Sequence, residues 1–563
     1  MQALSTFKNL FIFFIIIILL TCFGCIGGSG GDSSTEKPSW TIMVYMAADN
    51  DLSNYAKVDL QELEIGCNDN DNIKILVLID QDSDGDTRLY KIKHDLYPWT
   101  IVSERLSDST FLNISATGND ELDMSNPNTL SNFIKFCQAN YPSENYALIL
   151  WNHGGGWRNR MPATIKSNNI DSLKKYVTAN KALPIYIKNK NTTPLKAVCW
   201  DDTTGFNESL TMSEVKQAVS GKGLTVIGFD ACLMGMVEVA YQLKDCAQYM
   251  IASEETIPGD GWAYHLFLNS FKNTNQSPVD FGKSVIDTYI DDNSGSDNAN
   301  AVTLSLIDLS KIDNLASAIN TLSSAMQTGN IEQITAGRHK TLSFSVPHFV
   351  DLYHLAQNLS SFSGANDVIQ ALKEAVVYHK YLDDTGLYGF ANSHGLSIYF
   401  PINNDYDPEY SDYKISNIDF AQTQWDDQLI NYFNNVIKHT IETFPNSGGN
   451  DTDTYIVLFY DNNGTLTYLY EDDDSSNTGT GYYSKIVTPL ASGEQYYILC
   501  LDYWGYYGNS SYGYYSILVN ENGGGSSNNE PDPNAFEPDN DYNNAKEIQY
   551  GVVSDRYITE RDY

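Results

Sequence analysis

Two short motifs carry the residue types needed for thiol-based acyl transfer. The apolar run 146–151 ends in Trp151-Asn152-His153-Gly154-Gly155-Gly156-Trp157, and the run 224–229 ends in Asp230-Ala231-Cys232-Leu233-Met234-Gly235. A thiol that passes its proton to an imidazole becomes a strong nucleophile, and backbone N–H groups can hold the oxyanion that its attack creates. The glycines after His153 let the backbone approach a substrate closely. A helix over 233–243 would put Cys232 at a helix N-terminus, where the dipole and a nearby imidazole both favour thiolate. Each motif alone has an ordinary explanation, since a buried Cys is often a small core residue and a strand-end His is often structural. Placed together at the tips of two neighbouring strands, they point to catalysis. The order His before Cys argues against a papain-like enzyme, in which Cys comes first.

The elements that would position this pair are short apolar runs alternating with helical patterns. Strands are expected over 40–47, 72–80, 146–151, 224–229 and 249–253, with helices over 52–65, 129–140 and 212–219. Continuous apolar strands alternating with helices imply a mostly parallel sheet covered on both faces, and such sheets present ligands at the carboxyl ends of their strands. The polar, lysine-rich stretch 158–195 interrupts the pattern and reads as an exposed insertion. Further on, strands are expected over 301–307 and 395–400, and helices over 311–326 and 367–379. From about 446 the composition turns to Gly, Asn, Asp, Thr and Tyr, with short alternating runs at 454–460, 465–470, 495–501 and 512–519. That is the signature of an antiparallel β-sandwich. The fold class is therefore α/β with a C-terminal all-β sandwich.

With 563 residues the chain is long enough for two to four domains. The organisation expected is an export signal at 1–25, a flexible tether at 26–39, the α/β domain at 40–440 and the sandwich at 446–521. A linker at 522–536 and the start of a further module at 537–563 complete it. A net charge of −37 with no basic cluster excludes nucleic acid as a partner. Lys8 precedes the apolar run 10–20, and Gly24-Cys25 follows it, resembling a lipoprotein processing site in which Cys25 would carry the lipid. The chain would then face outward, anchored to the membrane or secreted; an uncleaved membrane-spanning anchor is the alternative, and the run is marginal for that. The eight cysteines show no metal-ligand spacing in the folded region.

The segments 40–51, 148–157 and 228–236, followed by Ala252-Ser253-Glu254-Glu255-Thr256-Ile257-Pro258-Gly259-Asp260-Gly261-Trp262, resemble the clostripain family of cysteine peptidases. The resemblance spans about 40–433 and includes Cys199-Trp200-Asp201-Asp202 and His394-Gly395-Leu396-Ser397-Ile398-Tyr399-Phe400-Pro401. It implies a caspase-like fold, Cys232 as nucleophile and His153 as general base and acid. The oxyanion hole would be the backbone N–H groups of Gly154 and Cys232. It also implies cleavage after Arg or Lys, for which Asp230 and Asp260 are candidate pocket acids; a turn role is the other reading of Asp260.

Relatives are often activated by self-cleavage between the His and the Cys. The insertion offers Lys166, Lys174, Lys175, Lys181, Lys188 and Lys190. Calcium is a further implied ligand, although no cofactor is required for the chemistry. The run Asp80-Gln81-Asp82-Ser83-Asp84-Gly85-Asp86 begins like an EF-hand but has Lys91 where the twelfth-position Glu belongs. It reads as a hairpin turn; Asp472-Asp473-Asp474 and Asp539-Asn540-Asp541 are other oxygen-rich candidates, also readable as solvated turns. The Tyr-rich sandwich resembles a pre-peptidase C-terminal domain. The function expected is a secreted or surface-anchored endopeptidase acting on protein and peptide substrates at Arg or Lys. A catalytically silent surface-binding protein, or a thiol amidase or transpeptidase on the same fold, are the rival readings.

Overall fold

The computed structural model describes residues 39–68, 72–97, 100–157, 198–202, 208–270, 276–294, 301–383, 388–401, 418–445, 454–462, 465–473, 483–502 and 513–521. It also describes residue 386, the pair Ile185–Tyr186 and the strand Ser554–Ile558. Residues 1–38, including the export segment and Cys25, and nearly all of 158–195 lie outside the described residues.

Nine strands form one sheet: β1 (Trp40–Ala47), β2 (Ile73–Asp80), β3 (Arg88–Lys91), β4 (Glu104–Arg105), β5 (Asn145–Trp151), β6 (Leu224–Asp230), β7 (Ala247–Ala252), β8 (Ala301–Asp308) and β9 (Val376–Asp383). Their spatial order is β9-β8-β7-β6-β5-β1-β2-β3-β4. The five central strands run parallel, and both edges are finished by antiparallel strands. All eight residues of β1 and all seven of β6 are buried. The reason is that each face of the sheet is covered by helices, so alternate side chains enter different cores. Met43, Tyr45 and Ala47 join α2 (Pro127–Asn140), α3 (Met212–Val219) and α4 (Val237–Leu243) on one face. Trp40, Ile42, Val44 and Met46 join α1 (Ser53–Gly66), α5 (Tyr264–Ser270) and α6 (Pro278–Asn293) on the other. The helices start where capping residues dictate. Asn126 accepts the Asn128 N–H, and Thr211 with Glu214 forms a reciprocal capping box.

Two expectations need correction. The helical pattern read over 367–379 is a helix at Ala365–Ala375 followed at once by β9, because Val376, Val377 and Tyr378 favour a strand. The helix expected from 233 begins at Val237; residues 231–236 form a turn in which Leu233 adopts φ 63°. Cys232 therefore does not sit on a helix N-terminus.

The C-terminal region is two antiparallel sheets. One contains β10 (Lys438–Pro445), β13 (Lys485–Pro489), β15 (Gly513–Glu521) and β16 (Ser554–Ile558). The other contains β11 (Thr454–Asn462), β12 (Thr465–Asp473) and β14 (Tyr496–Asp502), with Ile185–Tyr186 paired in parallel to β12. The sandwich thus takes in Lys438–Pro445, and residues 554–558, expected to belong to a further module, pair along β15. It meets the α/β core at the helix Ile331–Lys340, where His339 Nδ1 lies 3.0 Å from the Tyr496 hydroxyl and Lys340 pairs with Glu494 at 2.9 Å.

Because the parallel strands stack in the middle of both cores, a side chain lost there leaves a cavity that no loop can fill. Leu148→Ala, at a fully buried position of β5, is expected to lower unfolding free energy by about 2–5 kcal/mol in urea denaturation.

Candidate active site

The register of β5 against β6 decides where the two motifs meet. Trp151 pairs with Asp230, and the Asn152 N–H donates to the Asp230 carbonyl at 3.2 Å. His153 and Cys232 each lie two residues past a paired position, so they occupy equivalent places at adjacent strand tips. Gly154 shows how closely the two segments pack. A Cβ there would lie 2.3 Å from the Cys232 carbonyl oxygen and 2.8 Å from the Cys232 nitrogen. Any side chain would force the motifs apart.

The His153 ring is held from two sides. Its Nε2 lies 2.7 Å from Asp51 Oδ1, and its ring packs on Trp200 with centroids 4.8 Å apart. The hydrogen bond to His153 holds the Asp51 carboxyl below the usual carboxylate range despite partial burial. The backbone that carries the ring is fixed by asparagines. Asn152 accepts its neighbour's N–H through Oδ1 and donates through Nδ2 to the carbonyls of Ala47 and Trp200. Asn50 donates to the same two carbonyls at 3.2 Å. The ends of β1, β5 and the short strand Val198–Asp201 are thereby tied into one unit.

The Cys232 thiol is half-buried. The Ile257 N–H donates to its sulfur at 3.3 Å, and the Ile257 carbonyl lies 3.7 Å away. Burial pushes the thiol up to about 11, with the negative charges of Glu255 and Asp230 adding to the shift, while the N–H groups of Ile257 and Gly154 act in the opposite sense. The resting form at neutral pH is therefore the thiol, and the thiolate must be formed by a base.

Asp230 ends β6 beneath the turn that follows β7, and Asp260 lies on that turn. Asp230 is buried; its Oδ2 accepts the Trp262 N–H at 3.1 Å and the Tyr264 hydroxyl at 2.9 Å. Asp260 is exposed on that turn, which is closed by a Gly261 N–H to Pro258 carbonyl bond. A third carboxylate joins them. Asp59 of α1 is fully buried and accepts the Trp151 indole N–H at 2.6 Å, and both its Oδ2 and the Asp230 carboxylate would lie about 3 Å from a Gly261 Cβ. Burial, then the neighbouring Asp230 charge, raises the Asp59 carboxyl.

Sequence reasoning did not single out Asp51, Trp200, Ile257 or Asp59. Asp51 had a usable signal: it follows β1 in an Asp-Asn-Asp run at a strand tip. Of the expected oxygen-rich candidates, 80–86 is the turn of the β2–β3 hairpin, with the Gln81 N–H donating to Asp86 at 2.8 Å. The Asp472 carboxylate takes the Lys485 N–H at 2.6 Å, and 539–541 lie outside the described residues.

The profile of the clostripain family matches residues 44–177 and 184–480. Clostripain of Hathewaya histolytica is 27% identical over 443 residues, covering 67% of this chain and 76% of that protein. The X-ray structure of a secreted C11 cysteine protease from Bacteroides thetaiotaomicron, in complex with an irreversible peptide inhibitor, aligns with TM-score 0.50 at 22% identity. It covers 69% of this chain and 100% of that one. An inactive zymogen C11 protease from Parabacteroides distasonis aligns with TM-score 0.47 at 20% identity over 68% of this chain and 97% of that one. The match to the family profile over most of the chain defines a cysteine endopeptidase built on a caspase-like α/β sheet. The chain belongs to the clostripain family.

The raised thiol pKa has a direct consequence once the imidazole is removed. In a His153→Ala variant, alkylation of Cys232 by iodoacetamide is expected to be slow at neutral pH. It should rise roughly tenfold per pH unit toward about 11, as read by mass spectrometry of the Cys232 peptide. A plateau near neutral pH would contradict the burial argument.

Proposed function

We propose that this chain is an endopeptidase that cleaves after Arg and Lys through a Cys232–His153 pair. The observation that carries the reading is the β5–β6 register, which puts the half-buried Cys232 beside the His-Gly-Gly segment. Asp51 occupies Nε2 of His153, so Nδ1 is the ring nitrogen left to exchange protons. The Cys232 S–H proton passes to Nδ1 as sulfur attacks the scissile carbonyl carbon, and the carbonyl oxygen becomes an oxyanion facing the Gly154 and Cys232 N–H groups. The C–N bond then breaks, the imidazolium gives its proton to the leaving amine, and a thioester remains. Water loses a proton to His153 and attacks the thioester; the acid departs and the thiol is restored. Asp51 acts as a positioning residue that fixes the tautomer.

The substrate's basic side chain is received by the acidic turn, with Asp260 at its rim and the Asp230–Asp59 pair beneath. A cation there would relieve the repulsion among three carboxylates. Self-processing falls in 158–195; the match to the family profile breaks between 177 and 184, inside that insertion. Export, a lipid on Cys25 and an extracellular location complete the reading. The sandwich is a pre-peptidase-type module.

A peptide bearing one Arg should be cut on the carboxyl side of that Arg by the wild type and not by Cys232→Ala, as seen by mass spectrometry. Cys232→Ala should also stay unnicked where the wild type fragments, and equal fragmentation of both would refute self-processing. Asp260→Asn is expected to raise KM for the Arg peptide with little change in kcat. Asp51→Asn is expected to lower kcat by roughly 10- to 100-fold, with a shifted pH profile.

A further inference from the structure

The end of the sheet opposite the site carries an exposed apolar loop. β3 runs antiparallel to β2, and the Ile92 N–H donates to the Ile75 carbonyl at 3.0 Å. The chain therefore leaves β3 past the first residues of β2 and returns at β4. In this connection Leu96 and Tyr97 are 69% and 72% exposed, more than any other large apolar side chain among the described residues, and Val102 is 44% exposed. Pro98 and Trp99 lie outside the described residues. The base of the loop is fixed to α1. One carboxylate oxygen of Glu64 accepts the N–H groups of Val102 and Ser103 at 2.9 and 2.7 Å and the Ser103 hydroxyl at 2.6 Å. The Asp95 N–H donates to the Glu64 carbonyl at 3.1 Å, and the Lys93 N–H donates to Ser103 Oγ at 3.1 Å. Both ends of the loop are thereby held, and its apolar side chains stay in water at a cost that a partner surface would remove.

We propose that the face formed by Leu96, Tyr97 and Val102 rests in the interfacial layer of a lipid bilayer. A membrane is favoured as the occupant by the place where the N-terminal segment joins. Trp40 opens β1 opposite Ile73; the Trp40 N–H donates to the Asn72 carbonyl at 3.2 Å, and the Ser39 hydroxyl donates to it at 3.1 Å. β1, β2 and β3 are consecutive in the sheet, so Ser39 and the loop share one end of it, about 10 Å apart across two strand spacings. Upstream of Ser39 lie the apolar run 10–20 and Cys25. The inference rests on the exported, lipid-anchored reading above. On that reading Ser39 follows the lipid-bearing Cys25 by 14 positions, and a Gly/Ser-rich tether of that length spans about 20 Å on average. The loop is then kept at the bilayer surface. Tyr at an apolar edge suits the headgroup layer, where its ring and its hydroxyl are both satisfied. With a net charge of −37, attraction to anionic lipid is not the source of binding; burial of apolar side chains is.

The consequence is orientation. His153 and Cys232 follow the carboxyl ends of β5 and β6, about 25 Å from the loop along strands of seven or eight residues. A chain resting on Leu96 and Tyr97 therefore points its cleft away from the bilayer. A tether alone would leave the domain free to tumble, whereas a second contact beside the tether fixes which end meets arriving protein substrates. Because the tether holds the loop near lipid at high effective concentration, a small apolar contact is enough.

The test uses the full chain in a Cys232→Ala background, which prevents self-cleavage, with an excess of phosphatidylcholine vesicles. Hydrogen exchange over 94–103, read by mass spectrometry, is compared with and without vesicles for the parent and for Leu96→Asp/Tyr97→Asp. Both positions are exposed, so the two proteins should melt at the same temperature. Vesicles are expected to slow exchange over 94–103 of the parent by about tenfold or more, with no change in β5 or β6. The double variant should show no such protection, even where it floats with the vesicles through its N-terminal segment. Equal exchange of the parent with and without vesicles would overturn the proposal, as would equal protection of the double variant. A dimer of the parent in the absence of lipid, abolished in the double variant, would also overturn it, since the face would then belong to a second copy. The mass of the Cys25 peptide is read separately. An unmodified Cys25 would sink the lipid anchor alone, because excess vesicles offer the bilayer to the loop without it.

Discussion

The site depends on one ladder. β5 and β6 run parallel with Trp151 opposite Asp230, and everything that brings imidazole and thiol together follows from that pairing. A slip of either strand by one residue would turn its tip to the opposite face of the sheet. The register is protected because β6 and its neighbour β1 are buried throughout, and β5 is buried from Ala147 onward. The last rung, the Asn152 N–H on the Asp230 carbonyl, carries the ladder right up to the reactive residues. Gly154 then closes the gap to Cys232 as no other residue type could.

Beside this ladder burial disfavours the charged forms of two groups. Burial holds the thiol protonated, and a pair of carboxylates under the Gly261 turn crowd one another. Neither is at rest in the form that chemistry requires. On the proposed function, proton transfer to His153 and arrival of a cationic side chain would relieve both conditions together, and binding of a basic substrate and activation of the nucleophile would be electrostatically linked.

Much of the fold could be read from the residues. The strands Trp40–Ala47, Ile73–Asp80, Asn145–Trp151 and Leu224–Asp230 show as largely apolar runs, since central parallel strands have no wet face. What could not be read is proximity across the chain. Asp51 is 102 positions from His153, and only the order β5-β1-β2 places the tip of β1 next to that of β5. Ile257 is invisible for another reason: it acts through its backbone, which any residue could supply. The helix expected at Leu233 failed because the turn over 231–236 consumes residues that have good helical propensity, a tertiary demand that overrides a local preference.

The pairing of Ile185–Tyr186 with Leu466 and Thr467 of β12 ties two residues of the insertion to the sandwich. A backbone break upstream of Ile185 would not release the following stretch, because two rungs of parallel ladder keep it docked on the neighbouring module. The severed protein would then persist as a two-piece assembly.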